Sequence, residues 1–421
     1  MREFEFDFTD AIRTGLLATD RLLYASEPGL VRCMNLHLVQ DGKLNVLKAL
    51  PDFLPGFALG GTSPFSNVSI VDPEAGVVLT EAIKILDFTN FFVFICTHKI
   101  TGVYINYLFT VYEDVYTQLS NPWPSFTDGI AYDNVQAVML LEDEIWWSRI
   151  MDYDFTIDGK GAGKLLWPFS GRPKALGQLG DKVVVIGEGG LLIMRPLDSD
   201  PYWATTRLPI LINTALPYGF CHGWCFFFDF IGNLWIFDGE ELSRRGYKQH
   251  FRNFTSLNKV QYSASLLGFF ISDFSECYLL TKNALTECSN LPLCFVEHAD
   301  ALYGEFIDLV GSDDILIQTT PSDMGFRSRK NVSGIQCGVD SHYPLYVSVG
   351  WRNDIKSVIR WSAEVEVGPD GYIALSCSGV ELCLRLRTTR HAELRISNLS
   401  VFFKYEDKRF LRSRYDNKIN T

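Results

Sequence analysis

The chain has 421 residues, 47% hydrophobic and 21% charged, which is enough apolar material for a large core, two or three ordinary domains, or one large β architecture with an appendage. A net charge of −12 argues against a protein that grips nucleic acid phosphates through a basic face. Aromatic residues reach 14%, with 31 Phe, 18 Tyr and 9 Trp, and rings of this kind fit half-buried pleated surfaces, so composition favours β structure.

At the start of the chain Phe4, Phe6 and Phe8 alternate with Glu3, Glu5 and Asp7, the period of a half-buried strand that needs a sheet edge, its own or a neighbouring copy's. The opening MREFEFDFTD lacks the basic-then-apolar pattern of a signal peptide. A short helix is expected over Ala11–Tyr24. Turns at Pro28–Gly29 and Asp41–Gly42 bracket VRCMNLHLV, which reads as a strand. Pro51, Pro55 and Gly60–Gly61 form a loop into the next region. No stretch of 18 uninterrupted apolar residues exists, and Asn90–Thr110, which comes closest, carries His98 and Lys99, so no membrane span is expected.

From about Ile83 one pattern recurs: an apolar run, a polar or Gly turn, and a second apolar run. It appears as Phe91–Thr97 with Val103–Tyr107, Ala137–Leu141 with Ile145–Trp147, and Val183–Ile186 with Leu191–Met194 across Gly187, Glu188, Gly189 and Gly190. It returns as Trp224–Phe228 with Leu234–Phe237, Phe269–Ile271 with Tyr278–Leu280, and Phe306–Val310 with Ile315–Ile317. Weaker strands lie upstream at Ala82–Leu86, Lys174–Leu179, Leu208–Asn213 and Lys259–Ser263. Counted from Phe91, Ala137, Lys182, Trp224, Leu267 and Leu302, the spacings are 46, 45, 42, 43 and 35 residues. Three or four strands every 40–45 residues is the period of propeller blades, which bury their faces on one another. The fold class expected is all-β: about six blades of a β-propeller over 61–320, entered through an N-terminal arm and strands over 1–60. Two stacked sandwiches with coincidental spacing are the competing reading.

After Pro321 the strands lengthen and alternate. In Glu381–Arg387, Leu382, Leu384 and Leu386 point one way and Cys383, Arg385 and Arg387 the other. Residues 321–406 read as an antiparallel β-sandwich-like module, followed by a basic tail over 407–421. From Arg385 to Thr421 ten Lys and Arg stand against four Asp and Glu, so a basic end follows an acidic body. Self-association or docking to another acidic surface, and a solvated tail, are equally consistent with this.

The ten cysteines show no disulfide framework; Cys96, Cys225, Cys377 and Cys383 sit inside apolar runs, where a thiol acts as a small hydrophobe, as in a reducing cytoplasm. The four Asn-x-Ser/Thr sequons, at Asn67, Asn253, Asn331 and Asn398, are then chance matches. Cys221, His222 and Cys225 crowd together without the second pair that a zinc site requires, so buried cysteine is preferred. Asp152, Asp154 and Asp158 with Gly159 fail the calcium-loop spacing and read as an Asx-rich turn. Glu142, Asp143 and Glu144 could supply one carboxylate of a glycosidase pair, but they occupy a hairpin turn. No Gly-x-Ser-x-Gly elbow, phosphate loop or His-Glu-x-x-His occurs, and the chain reads as a non-enzyme with no cofactor and no metal.

Several stretches in order resemble bacteriophage tail propellers, the nozzle or hub proteins of short-tailed phages also called packaged-DNA stabilisation proteins. They are WWS, Asp154-Phe155-Thr156, Gly161–Gly163 and KALGQLGDKVVVIGEGGLLIMR, then FFFDFIGNLWIFDGEEL (Phe226–Leu242), GYIALSCSGVELCLRLRT and the entry VRCMNLHLVQDGKLNVLKALPDF. The entry segment lacks the run of Arg and the Pro-Gly often found there. The resemblance implies a virion structural protein in the tail, assembled in the host cytoplasm as a ring of usually six copies. It further implies contacts with other tail or neck proteins, such as a portal-side adaptor and fibres, and genomic DNA passing through the lumen without sequence-specific binding. An acidic lumen repels phosphates, which suits sliding. Contacts between copies are expected from Phe4, Phe6 and Phe8 and from Lys408, Arg409, Arg412, Arg414 and Lys418. The alternatives are a carbohydrate-binding or glycan-cleaving propeller of a receptor-binding apparatus, and a cellular propeller scaffold.

Overall fold

Runs that the sequence marks as uniformly apolar become the inner strands of four-stranded antiparallel sheets in the computed structural model. The structure describes residues 80–405 with short interruptions and, before them, Arg2–Glu5, Leu30–Met34, Leu36–Leu38 and Leu44–Val46. No helix occurs among these residues, so none is long and apolar enough to cross a membrane. The region expected to be helical over Ala11–Tyr24 lies outside the described residues. The chain divides into two compact units, one over 54–246 and one combining 1–53 with 247–421.

Among the described residues the first unit contains four sheets, each a meander in chain order. The first blade consists of Thr80–Asp87, Phe92–His98, Tyr104–Tyr112 and Val115–Leu119. The second is Asp128–Tyr132, Gln136–Leu141, Glu144–Trp147 and Gly163–Leu166. The third is Pro173–Leu179, Lys182–Gly187, Gly190–Pro196 and Trp203–Pro209. The fourth is Gly219–Cys221, Trp224–Phe228, Leu234–Phe237 and Leu242–Gly246.

Why these strands are apolar at every position is visible in how their faces are used. A strand sends successive side chains to opposite faces. In the third blade Val183, Val185, Leu192 and Met194 pack with Val138, Leu140 and Trp147 of the second. Their chain neighbours Val184, Ile186, Leu191 and Ile193 pack instead with Cys225, Phe227 and Phe237 of the fourth. The second blade behaves alike, since Ala137 and Met139 join Leu86, Val93 and Ile95 of the first. Each inner blade thus has both faces covered, the condition under which a strand reads as a continuous hydrophobic run. The first strands of successive blades lie beside one another, and a Cβ on Gly177 would collide with the Phe220 ring of the next blade, 2.3 Å away. These are β-propeller blades.

The second unit holds a fifth such meander, Lys259–Ser263, Gly268–Ser272, Cys277–Thr281 and Leu285–Cys288. Its last strand touches Leu30–Met34 through a single parallel bridge, Met34 to Glu287. The sheet continues antiparallel through Asp314–Thr319, Glu381–Thr389 and Tyr346–Arg352. The hairpin expected between Phe306–Val310 and Ile315–Ile317 does not form. Ala301–Asp308 pairs with Asn290–His298 across a two-residue connection, and Asp314–Thr319 pairs with Leu30–Met34 and Glu381–Thr389. The shorter connection lets two long strands zip locally, which costs less loop entropy.

The closing strands form the antiparallel two-sheet module. Beside the sheet just described, Leu394–Tyr405 pairs along Lys330–Ser341, which also receives Tyr372–Ile373 and Cys377–Gly379. Alternation is kept in part: Leu399, Val401 and Phe403 are buried, as are Leu382, Leu384 and Leu386, but Ser400 and Cys383 on the alternate positions are buried as well. Arg385 and Arg387 lie half-buried, as the alternation suggests. Arg385 stacks 4.0 Å over Trp361, while Arg387 covers Tyr346 and pairs with Glu364 at 2.7 Å.

Candidate functional site at the blade ends

The connections of the second, third and fourth blades gather at two ends. One end carries the turns between first and second strands and between third and fourth; the other carries the turns between second and third strands and the blade-to-blade crossings.

At the first end, polar side chains tie each blade to the next. Tyr132 of the second blade donates its hydroxyl to the Asp181 carbonyl at 3.0 Å. Beside it the Gln178 amide donates to Asp133 at 2.6 Å and accepts from the Asp133 backbone N–H at 3.2 Å. Burial, then the nearby Asp133 and Asp181 charges, push the Tyr132 phenol up to about 12, so it stays a donor at any physiological pH. Between third and fourth blades Lys182, 6% exposed, donates to the Gly239 carbonyl at 2.8 Å and forms an ion pair with Glu240. Arg195 joins the same carboxylate at 3.4 Å. The hydrogen bond and charge of Lys182 hold the Glu240 carboxyl below its ordinary range.

Between the first strands, Asp128 of the second blade accepts the Leu176 N–H of the third at 2.8 Å. Tyr218, which leads into the fourth blade, is pushed up to about 12 by burial and then by Asp128 and Tyr104. Leu176 of the third blade and Tyr218, which leads into the fourth, therefore both lie close enough to feel this carboxylate of the second.

At the second end the turns between second and third strands carry carboxylates: Glu142 and Asp143, Glu188, and Asp229. Glu142 takes a left-handed φ of 52°, and Trp167, in the crossing to the third blade, donates its N–H to the Asp143 carbonyl at 2.8 Å. Glu144 accepts from the Trp146 indole at 3.0 Å and from Lys164 at 2.7 Å, so this carboxylate braces its own sheet. The Asp229–Asn233 turn of the fourth blade is the most heavily bonded. Asp229 Oδ1 accepts the N–H groups of Ile231 and Asn233, and Oδ2 accepts the Asn233 amide and the Trp235 indole, all within 3.0 Å. Burial alone would raise this carboxyl, but the four hydrogen bonds outweigh it and hold it below the ordinary range. Gly232 sits at φ 88°, where a side chain would be strained.

Asp154 is engaged as turn chemistry: it accepts from the Thr156 N–H and hydroxyl at 2.9 and 2.8 Å and pairs with Arg149 at 3.3 Å. Asp152, Asp158 and Gly159 lie outside the described residues, as does His222. Cys221 donates its thiol to the Trp224 carbonyl at 3.1 Å, and Cys225, fully buried, has its thiol pushed up by burial. Cys221, Cys225, Cys377 and Cys383 are free and buried. Among the described residues no three His, Cys, Asp or Glu stand together as a metal-binding group.

Of the residues expected to join copies, Phe4 lies on Arg2–Glu5, which pairs with its own chain's Leu394–Tyr405, Phe4 opposite Val401. Phe6, Phe8, Lys408, Arg409, Arg412, Arg414 and Lys418 lie outside the described residues. Sequence reasoning passed over Lys182 and Asp229. A lysine leading directly into VVVI demands a buried partner, and the Asp-x-x-Gly-Asn spacing of Asp229–Asn233 is a turn signature.

No protein-family model matches the chain, and no curated protein does. Among solved structures it is similar to a protein from Lactobacillus plantarum at 8% identity and TM-score 0.33, covering 71% of this chain and 87% of that one. It is similar to YCF48 bound to D1 peptide at 11% identity and TM-score 0.32, covering 57% and 75%. For human WBSCR16 the values are 10% and 0.30, with 48% of this chain covered and 62% of that one, less than two thirds of its length.

Proposed function

We propose that the chain is a structural protein of a bacteriophage tail, a nozzle, hub or neck ring. Its copies close into a ring of six that forms part of the conduit for genomic DNA. The sequence resemblance supports this reading, and so does the net charge of −12, which makes a wall along which phosphates slide rather than adhere. The observation that carries it is the way the blades are joined. Apolar side chains fill both faces of the inner blades, and Tyr132, Gln178, Lys182 and Asp128 tie one blade to the next. A wall under pressure from packaged DNA needs this redundancy, because no single contact has to hold. The carboxylates at the turns serve the same end, with Glu144, Asp154 and Asp229 bracing strands and turns.

The purified full chain is expected to sediment as one closed oligomer whose mass is a small whole multiple of the 47.8 kDa chain. A monomer at every accessible concentration would overturn the proposal.

A further inference from the structure

Cysteine is used in two ways in this fold. In most strand registers it is a small hydrophobe facing an apolar neighbour: Cys225 stands opposite Phe237, Cys337 opposite Leu399 and Cys377 opposite Val332. Cys277 and Cys288 differ. Cys277 opens the strand Cys277–Thr281, Cys288 ends the strand Leu285–Cys288, and the antiparallel register sets the two directly opposite each other. Among the described residues no other register pairs two cysteines. Directly opposite residues share a face and hold their Cα atoms about 4.5–5.5 Å apart, inside the roughly 4.4–6.8 Å that a disulfide spans. Both thiols are free and buried, and Cys277 donates its S–H to the Cys288 sulfur, so the two sulfurs already face each other.

Their place in the sheet gives the pair a task. Leu285–Cys288 is the last strand of the fifth meander and touches Leu30–Met34 through one parallel bridge, Met34 to Glu287, at the residue before Cys288. The ladder is thinnest here, and strand ends are where local opening begins. A covalent link at this point would fix the open end of the hairpin beside that single bridge. The reactivity of the pair is restrained. Burial, then the hydrogen bond to Cys288, push the Cys277 thiol well above its ordinary value, and only a thiolate attacks. Cys288, 9% exposed against 2% for Cys277, is the thiol that meets an oxidant first.

We propose that Cys277 and Cys288 are a redox pair, two thiols in reducing surroundings and one disulfide after exchange with a small-molecule disulfide such as oxidised glutathione. Cys288 loses its proton and attacks the small disulfide, whose S–S bond breaks and releases one small thiol. Cys277 then loses its proton and attacks the Cys288 sulfur, forming the Cys277–Cys288 bond and releasing the second small thiol. Two electrons and two protons pass from the pair to the two small thiols. The chemistry goes beyond the conduit reading and does not depend on it; on that reading the pair is reduced during assembly in the cytoplasm and closes in the released particle.

The test uses the full chain, purified under reduction, freed of reductant and incubated folded with oxidised glutathione at mildly alkaline pH. Remaining thiols are then alkylated in denaturant, and the chain is digested without reduction and sequenced by tandem mass spectrometry. Two of the ten cysteines, Cys277 and Cys288, are expected to escape alkylation and to appear joined in one cross-linked peptide pair. The thermal unfolding midpoint should rise by about 5 °C on oxidation and return on treatment with dithiothreitol. Cys277→Ala and Cys288→Ala should each abolish that rise. Ten alkylated cysteines, a disulfide between other cysteines, or a mixed disulfide that stops at Cys288 would overturn the pair, and a midpoint unmoved by the Cys277–Cys288 bond would overturn its task as a staple. The oligomeric state of the reduced chain reports on the conduit separately, so either reading can fail alone.

Discussion

The inner blades and the closing module are both antiparallel sheets, yet they use their strands differently. In the fourth blade Phe226 and Phe227 are adjacent in sequence and both fully buried. In the closing module Phe403 is buried and its neighbour Phe402 lies only half-buried, beside Tyr372. A sheet covered on two faces fills its inner strands with apolar side chains and admits a polar one, such as Asn106, Gln136 or Lys182, with a hydrogen-bond partner. In the closing module the two patterns mix: Arg385 and Arg387 stay half-buried between buried leucines, whereas Val347, Ser348, Val349 and Gly350 are buried in succession.

This difference predicts how substitutions should divide. Phe226→Ala and Phe227→Ala should each cost about 3–5 kcal/mol in equilibrium unfolding. Phe403→Ala should cost the same, but Phe402→Ala less than about 2 kcal/mol. Equal losses at Phe402 and Phe403 would break the comparison.

Next in size is removal of residues 1–10. It strips Arg2–Glu5 from the edge of Leu394–Tyr405 and should destabilise the module by about 2–4 kcal/mol, counted from the backbone hydrogen bonds lost. Hydrogen exchange should quicken at Leu394–Tyr405 and remain slow in Lys182–Gly187.

Asp229→Asn should cost about 1–3 kcal/mol, since an amide cannot accept from four donors. The sign of its pH dependence follows from the depressed carboxyl. Asp229 contributes its stabilisation above the ordinary Asp range and loses it as pH falls through the lower, folded-state value. The acid limb of the unfolding midpoint should therefore flatten in the Asn variant.

The smallest effect is expected at Glu240, whose carboxylate is largely in water. Glu240→Gln should barely move the midpoint, and the difference should shrink further in salt. Lys182→Met should act more strongly, because it strips a buried carbonyl of its donor.

The blades were legible because double-sided burial writes itself into consecutive residues: QAVML, KVVVI and WCFFF admit little else. The module was legible through Leu382, Leu384 and Leu386. What stayed hidden was pairing between distant segments. Asp314–Thr319 has the same local pattern whether it meets Phe306 or Leu30–Met34, because a strand's alternation records its faces and not its neighbours. Arg2–Glu5 likewise announced a strand without naming its edge. The cross-blade ties were hidden for a related reason: Tyr132, Gln178 and Lys182 are ordinary in sequence, and only the stacking of blades brings each to its partner.

The central claim is that this chain builds a closed wall around a passage. Electron microscopy of the purified full chain tests it most directly. The account predicts end-on views of rings with an open centre and a fixed number of copies. Uniform single particles, or open chains of copies that never close, would contradict it.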